Sequence, residues 1–125
     1  MTRRTPATQQ RYDQARERGD TIIHVDTQGN RFLDWQQERV IYEYDHWVVI
    51  PNRFPYDAIF TVHDLLVPKR HFAYVRDATD EERHEYYQIK KQLDQDDTYE
   101  SIIENFSRSR SVDTHFHAHL VCWVE

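Results

Sequence analysis

Three histidines within seven residues, His115-Phe116-His117-Ala118-His119-Leu120-Val121, carry the strongest chemical signal in this chain. Side chains along a strand point alternately to opposite faces. The spacing therefore predicts one face bearing His115, His117 and His119 and another bearing Phe116, Ala118 and Leu120. The apolar face anchors in a core, and the histidine row faces outward or into a cleft. Imidazole changes charge near neutral pH, which suits proton transfer, phosphate contact, nucleophilic attack or metal binding. Geometry separates these uses. At a rise of about 3.3 Å per residue, His115 and His119 start roughly 13 Å apart. Neighbours at i and i+2 can share an ion, whereas all three reach one ion only with difficulty. A reacting middle histidine supported by its neighbours fits the row better.

Two upstream segments add to this pattern. His63-Asp64-Leu65-Leu66-Val67-Pro68-Lys69-Arg70-His71 is an apolar strand opened by one histidine and closed by Pro-Lys-Arg-His. Val48-Val49-Ile50-Pro51-Asn52-Arg53-Phe54-Pro55-Tyr56 is an apolar strand running into an Asn-containing loop. With the seven-residue motif, these resemble the histidine triad (HIT) superfamily, whose signature alternates three histidines with apolar residues and ends in two more. The resemblance extends over about residues 39 to 123 and matches all seven signature positions.

That resemblance implies a protein that binds nucleoside phosphates and acts at the α-phosphorus through a covalent nucleotidyl-histidine. It implies His117 as the nucleophile, neutral and held in one tautomer. His119 matches the residue on the phosphate or leaving-group side, and His115 and His63 match the supporting histidines. Asn52 falls at the ribose-binding position, with Ile50 and Phe54 as base-pocket neighbours, and Asn105 at the phosphate-side asparagine. Val112 occupies the usual Ser or Thr position, so Ser111 or Thr114 would have to supply the phosphate donor. The loop before the motif carries no glycine, and Arg108 and Arg110 could clamp phosphate there instead. Within the enzyme class, a transferase passing a uridylyl group to a sugar phosphate is the alternative. From other classes come a transition-metal module built from two strand histidines plus His63 or His71, and a nucleotide-binding protein with little turnover.

Composition agrees with one modest domain. The 125 residues are 38% hydrophobic, 30% charged and 14% aromatic, so a polar surface is offset by bulky rings in the core. A net charge of -6 is a poor footprint for nucleic acid. Only two glycines, Gly19 and Gly29, occur, which excludes a Gly-rich phosphate loop. The single cysteine, Cys122, allows no internal disulfide and reads as a small strand residue. No apolar run is long enough for a membrane span, and the paired arginines near the start have no hydrophobic region behind them. The expectation is a cytoplasmic protein with a nucleotide substrate, no cofactor, no metal, no nucleic-acid or membrane partner, and a homodimeric assembly as in the family.

The elements that must position the histidines follow from the patterning. Residues 1–20 form a polar arm or helix with only Tyr12 and Ala15 for packing, stopped at Gly19. Residues 21–125 form one HIT-like domain. Thr27-Gln28-Gly29-Asn30 turns a hairpin between apolar stretches. Strands are expected over residues 40–44, 46–50 and 58–67, with Pro68 ending the last. Thr79 and Glu82 form a capping box for a helix over residues 79–93, whose stripe of Tyr86, Ile89 and Leu93 lies on the sheet. Residues 99–106 suit a helix by spacing and a strand by the resemblance, and the strand is preferred. The resulting fold class is α+β, a HIT-like, mostly antiparallel sheet with one principal helix packed on it.

Overall fold

A computed structural model describes residues 2–110, 112 and 114–125 of the chain. Five strands form an antiparallel sheet: β3 (Tyr42–Glu43), β4 (Trp47–Pro51), β5 (Phe60–Pro68), β6 (Ser101–Ile103) and β7 (Ala118–Trp123). Their spatial order is β3-β4-β5-β7-β6. A separate hairpin pairs β1 (Ile23–Val25) with β2 (Arg31–Leu33), and two helices, α1 (Pro6–Glu17) and α2 (Asp80–Gln95), complete the α+β fold.

The sheet is buried on both faces, which explains why β4 and the second half of β5 read as continuous apolar runs. Trp47, Val49, Leu66, Ala118 and Leu120 face α2 and meet Tyr86, Ile89 and Leu93 from its buried stripe. Trp47 is the hub of this layer. Its ring lies 4.8 Å from Tyr86, and its indole N–H donates to the Glu82 carbonyl at 2.9 Å. Val48, Ile50, Leu65 and Val67 face the opposite way and are covered by Leu33 of the hairpin, with Ile22, Trp35 and Val40 beside it.

Local chemistry sets the element ends. The Thr79 hydroxyl accepts from the Glu82 N–H at 3.1 Å, and the Glu82 carboxylate accepts from the Thr79 N–H at 2.7 Å. This is the reciprocal capping box that starts α2. At the end of α1, Gly19 takes a φ of +69°. Its N–H reaches the Arg16 carbonyl and that of Asp20 the Ala15 carbonyl, the double bond of a glycine-terminated helix.

Two expectations are corrected in detail, and one left open is decided. The strand expected over residues 40–44 contracts to Tyr42–Glu43 at the sheet edge. β7 begins only at Ala118, so His115 and His117 precede the strand. They are held instead by bonds outside the ladder, including the Phe116 N–H donating to the Phe72 carbonyl at 2.7 Å. The alternation of faces nevertheless survives, since Phe116 joins Ala118 and Leu120 in the α2-side core. The polar arm is a docked helix. Thr5 and Thr8 hold Asp57 through three hydrogen bonds, two from Thr5 to its Oδ1 and Oδ2 and one from Thr8 to Oδ2. Tyr12 meets Phe54 edge-on at 5.3 Å.

Candidate functional site

Strand pairing brings the histidines together. His63 on β5 and His119 on β7 lie on the same face of adjacent strands, because His119 is opposite Leu65 in the antiparallel register. The segment before β7 then places His117 and His115 further along that side. All four are at most 5% exposed. His117 and His119 line a cleft, and none of the four faces open solvent.

Each ring has a defined partner, and the partners fix its protons. The Leu33 N–H donates to Nδ1 of His115 at 3.2 Å, so His115 carries its proton on Nε2, aimed at the Pro68 carbonyl 3.4 Å away. Nδ1 of His117 lies 3.1 Å from the His115 carbonyl, an acceptor, and therefore holds the proton. That leaves the Nε2 lone pair of His117 toward the cleft, which His117 lines. The Tyr56 N–H donates to Nδ1 of His63 at 3.0 Å. His63 must then carry its proton on Nε2, which donates to Nδ1 of His119 at 2.7 Å. His119 in turn is protonated on Nε2, 3.1 Å from the Asn105 side-chain amide. The amide's oxygen and nitrogen are interchangeable by rotation, and this proton order requires Asn105 to present its oxygen. A backbone amide at Tyr56 thereby sets the tautomer of His119 through His63.

Burial keeps these rings neutral. It lowers His63 and His115 to about 4 and His119 to about 3, and it also lowers His117. Neighbouring positive charge acts in the same direction, from Arg4 on His63, Arg3 on His119 and Arg110 on His117. A neutral His117 with one nitrogen donating and the other open is a competent nucleophile. His119, equally neutral, is a positioned hydrogen-bond donor.

The cleft is narrow, about 30 Å³, with Asn52, Phe54, His117 and His119 in its wall. Asn52 shapes the loop it belongs to, its side-chain oxygen accepting from the Phe54 N–H at 2.9 Å. Ile50 is fully buried in the cluster behind Leu33 and Leu65, which themselves reach the cleft wall. Ser111 lies outside the described residues. Thr114 bonds to the Arg31 carbonyl through its hydroxyl. Arg110 donates to the carbonyls of Asn105 and Ala73, bracing the loop that precedes the motif, while Arg108 is exposed beside Phe106. His71 stacks on His115 at 4.9 Å and contacts the Thr114 carbonyl at 2.7 Å. No group of three His, Cys, Asp or Glu side chains suited to a metal ion occurs among the described residues. A larger cavity of about 500 Å³ between α2 and β6, lined by Lys90, Leu93, Tyr99 and Ile102, contains none of the histidines. His117 and His119 line the smaller space instead.

Sequence reasoning missed Arg4, Ile22, Ile23 and Leu33 in the cleft wall and Tyr56 beside its histidines. The aromatic residue two positions after Phe54 was visible, but nothing in the spacing tied the arm or hairpin to this loop.

A profile of the family described as HIT domain matches residues 35–123. The chain belongs to the HIT domain family. No curated protein sequence matches it. Among solved structures it is similar to a HIT family hydrolase from Clostridium thermocellum, with 24% identity and a TM-score of 0.54, covering 70% of this chain and 81% of the other. A HIT family hydrolase from Legionella pneumophila shows 22% identity and a TM-score of 0.52 over 70% and 83%. A histidine triad nucleotide-binding protein from Candida albicans shows 25% identity and a TM-score of 0.51 over 66% and 64%. The HIT domain of this chain contains all four clustered histidines, Asn52 and Asn105. Arg4, Tyr12, Ile22, Ile23 and Leu33 come from the segment before it.

Proposed function

We propose that this HIT domain is a nucleotide hydrolase or nucleotidyl transferase acting at the α-phosphate through a covalent nucleotidyl-His117. The observation that carries this reading is the orientation of His117. Its Nδ1 proton is committed to the His115 carbonyl, and its other nitrogen opens on the cleft beside His119. The name of one similar structure, a histidine triad nucleotide-binding protein, supports the same ligand class.

In the first step Nε2 of His117 attacks the α-phosphorus, a P–N bond forms, and the bond from phosphorus to the leaving group breaks. The ring becomes cationic, and the His115 carbonyl that holds its Nδ1 proton stabilises the charge. The Nε2–H of His119, released from the Asn105 oxygen, forms a hydrogen bond to the phosphate or departing atom. In the second step water, or an acceptor hydroxyl or phosphate, attacks phosphorus and the P–N bond breaks. A hydrolytic water gives its proton to solvent or the product, and His117 returns to its neutral form. The apolar wall of Ile22, Ile23, Leu33 and Leu65 suits a nucleobase, and Asn52 at its edge suits a ribose hydroxyl.

Rapid quenching tests the reading directly. Wild-type protein mixed with an adenosine or guanosine phosphoramidate or dinucleoside polyphosphate should gain one nucleoside monophosphate, acid-labile and mapping to the His117 peptide. His117→Ala should lose turnover entirely. A His119 substitution should cost about 10²- to 10⁴-fold, the contribution of a positioned proton donor. Full activity in His117→Ala, or an adduct on another residue, would overturn the mechanism.

A further inference from the structure

The segment before the HIT domain brings one arginine into the cleft wall and a second against Tyr56 beside it. Arg4 is half-buried and lines the cleft together with Asn52, His117 and His119. Its Nε donates to the Phe54 carbonyl at 2.8 Å. The guanidinium carbon sits 4.0 Å from the centre of the Tyr12 ring and 4.9 Å from that of Tyr56. Arg3, exposed, lies 5.4 Å from the Tyr56 ring, and its carbonyl accepts from the Ala58 N–H at 3.0 Å. Tyr56 in turn lies 4.6 Å from His63 and 5.8 Å from His119. Both guanidinium groups therefore lie against Tyr56, whose neighbours include His63 and His119, and Arg4 itself lines the cleft.

Neither arginine forms an ion pair with a carboxylate among the described residues. The nearest acidic side chain of the loop, Asp57, is taken up by Thr5 and Thr8. Arg4 spends one donor on Phe54 and keeps its terminal nitrogens for a planar anion. Stacking against two rings holds the guanidinium in place, so little side-chain freedom remains to be lost on binding. An unpaired, preorganised guanidinium beside a phosphate-transfer centre is suited to an anion that the α-phosphate alone does not supply.

We infer that Arg4, assisted by Arg3, is a specificity clamp for a leaving group that itself carries phosphate, so that nucleoside polyphosphates and dinucleoside polyphosphates are preferred over substrates with a neutral leaving group. This rests on the proposed reaction at His117 and specifies its substrate class. The arm before the HIT domain thereby supplies selectivity, while the domain supplies the nucleophile.

Two probes with the same nucleoside and α-phosphorus test it, ATP or diadenosine tetraphosphate against adenosine 5′-phosphoramidate. Both kcat/KM and the dissociation constant are measured for wild type, Arg4→Ala, Arg4→Lys and Arg3→Ala. In wild type the polyphosphates should bind at least about tenfold tighter than the phosphoramidate. Arg4→Ala should weaken the polyphosphates by about ten- to a hundredfold, the equivalent of one charge-assisted hydrogen bond, and change the phosphoramidate less than about threefold. Arg4→Lys should recover part of the loss, and Arg3→Ala should show a smaller loss of the same selectivity. Equal losses on both probes would reduce Arg4 to a structural tie of the arm, and no loss on either would remove the clamp. Wild type that binds both probes but turns over neither would defeat the reaction at His117, while the ratio of dissociation constants still decides the clamp.

Discussion

At the scale of single residues, the histidine cluster works because burial makes its rings neutral and backbone groups assign their protons. The same burial makes the cluster a pH-sensitive part of the folded state. His63 and His115 are lowered to about 4 and His119 to about 3, whereas an unfolded chain takes up these protons near 6.5. Their contribution to stability is therefore fully present above about pH 6.5 and is lost as pH falls toward the folded values. Each ring that refuses its proton steepens the decline by up to about 1.4 kcal/mol per pH unit. The urea midpoint should fall measurably between pH 6.5 and 5, before most carboxylates titrate. His63→Gln should start from a lower midpoint and decline less steeply through the same window. A flat wild-type profile there would show that the rings are protonated in the folded protein.

At the scale of elements, α2 depends on one carboxylate. Glu82 is 3% exposed, accepts from the Thr79 N–H, and receives Nε and a terminal nitrogen of Arg70 at 3.1 and 2.8 Å. Burial raises its pKa, and the Arg70 and Thr79 bonds outweigh that, leaving the carboxyl below its ordinary value. The Arg70 side chain is half exposed, so solvent weakens the ion pair. Glu82→Ala should cost about 2 kcal/mol and lower Tm by several degrees, as calorimetry can check, with turnover at 25 °C retained. A change in Tm within error would show that the cap is dispensable. This element was legible from the chain, since Thr79, Glu82 and the Tyr86-Ile89-Leu93 stripe are local signals. The strand over Ser101–Ile103 was preferred from the resemblance, since Tyr99, Ile102, Ile103 and Phe106 also fit helical spacing, and pairing with β7 bears that preference out. Local spacing left the docking of the arm hidden. Tyr12 and Ala15 were identifiable as packing residues and Gly19 as the helix stop, but the loop that receives them lies some forty positions later in sequence, and no local rule joins the two. His115, His117 and His119 could be named in advance from the motif, and His63 and Asn105 from the resemblance. Their tautomers could not, since these depend on backbone groups of Leu33, Tyr56 and Pro68.

At the scale of the whole molecule, the surface retains large apolar side chains. Tyr87, Phe106 and Trp123 are 60%, 73% and 45% exposed, and β3 and β6 leave both edges of the sheet unpaired within the chain. A two-fold interface would cover part of this surface and an open edge. A homodimer is the expected state, and light scattering at tens of micromolar should give twice the chain mass. A monomer at that concentration would rule it out. The structure also contains no helix long and apolar enough to cross a membrane among the described residues.

The strand that carries His119 is an interior one, paired to β5 on one side and β6 on the other. The helix that carries Arg4's neighbour Tyr12 is tied chiefly to the loop around Phe54 and Asp57. These two walls of one cleft therefore belong to different cooperative units. Fluctuations that lift the arm break a few peripheral bonds, whereas those that displace His119 must open the middle of the sheet. Under the proposed reaction, a substrate is expected to enter and leave by local breathing of α1, while His119 keeps the permanence of the core.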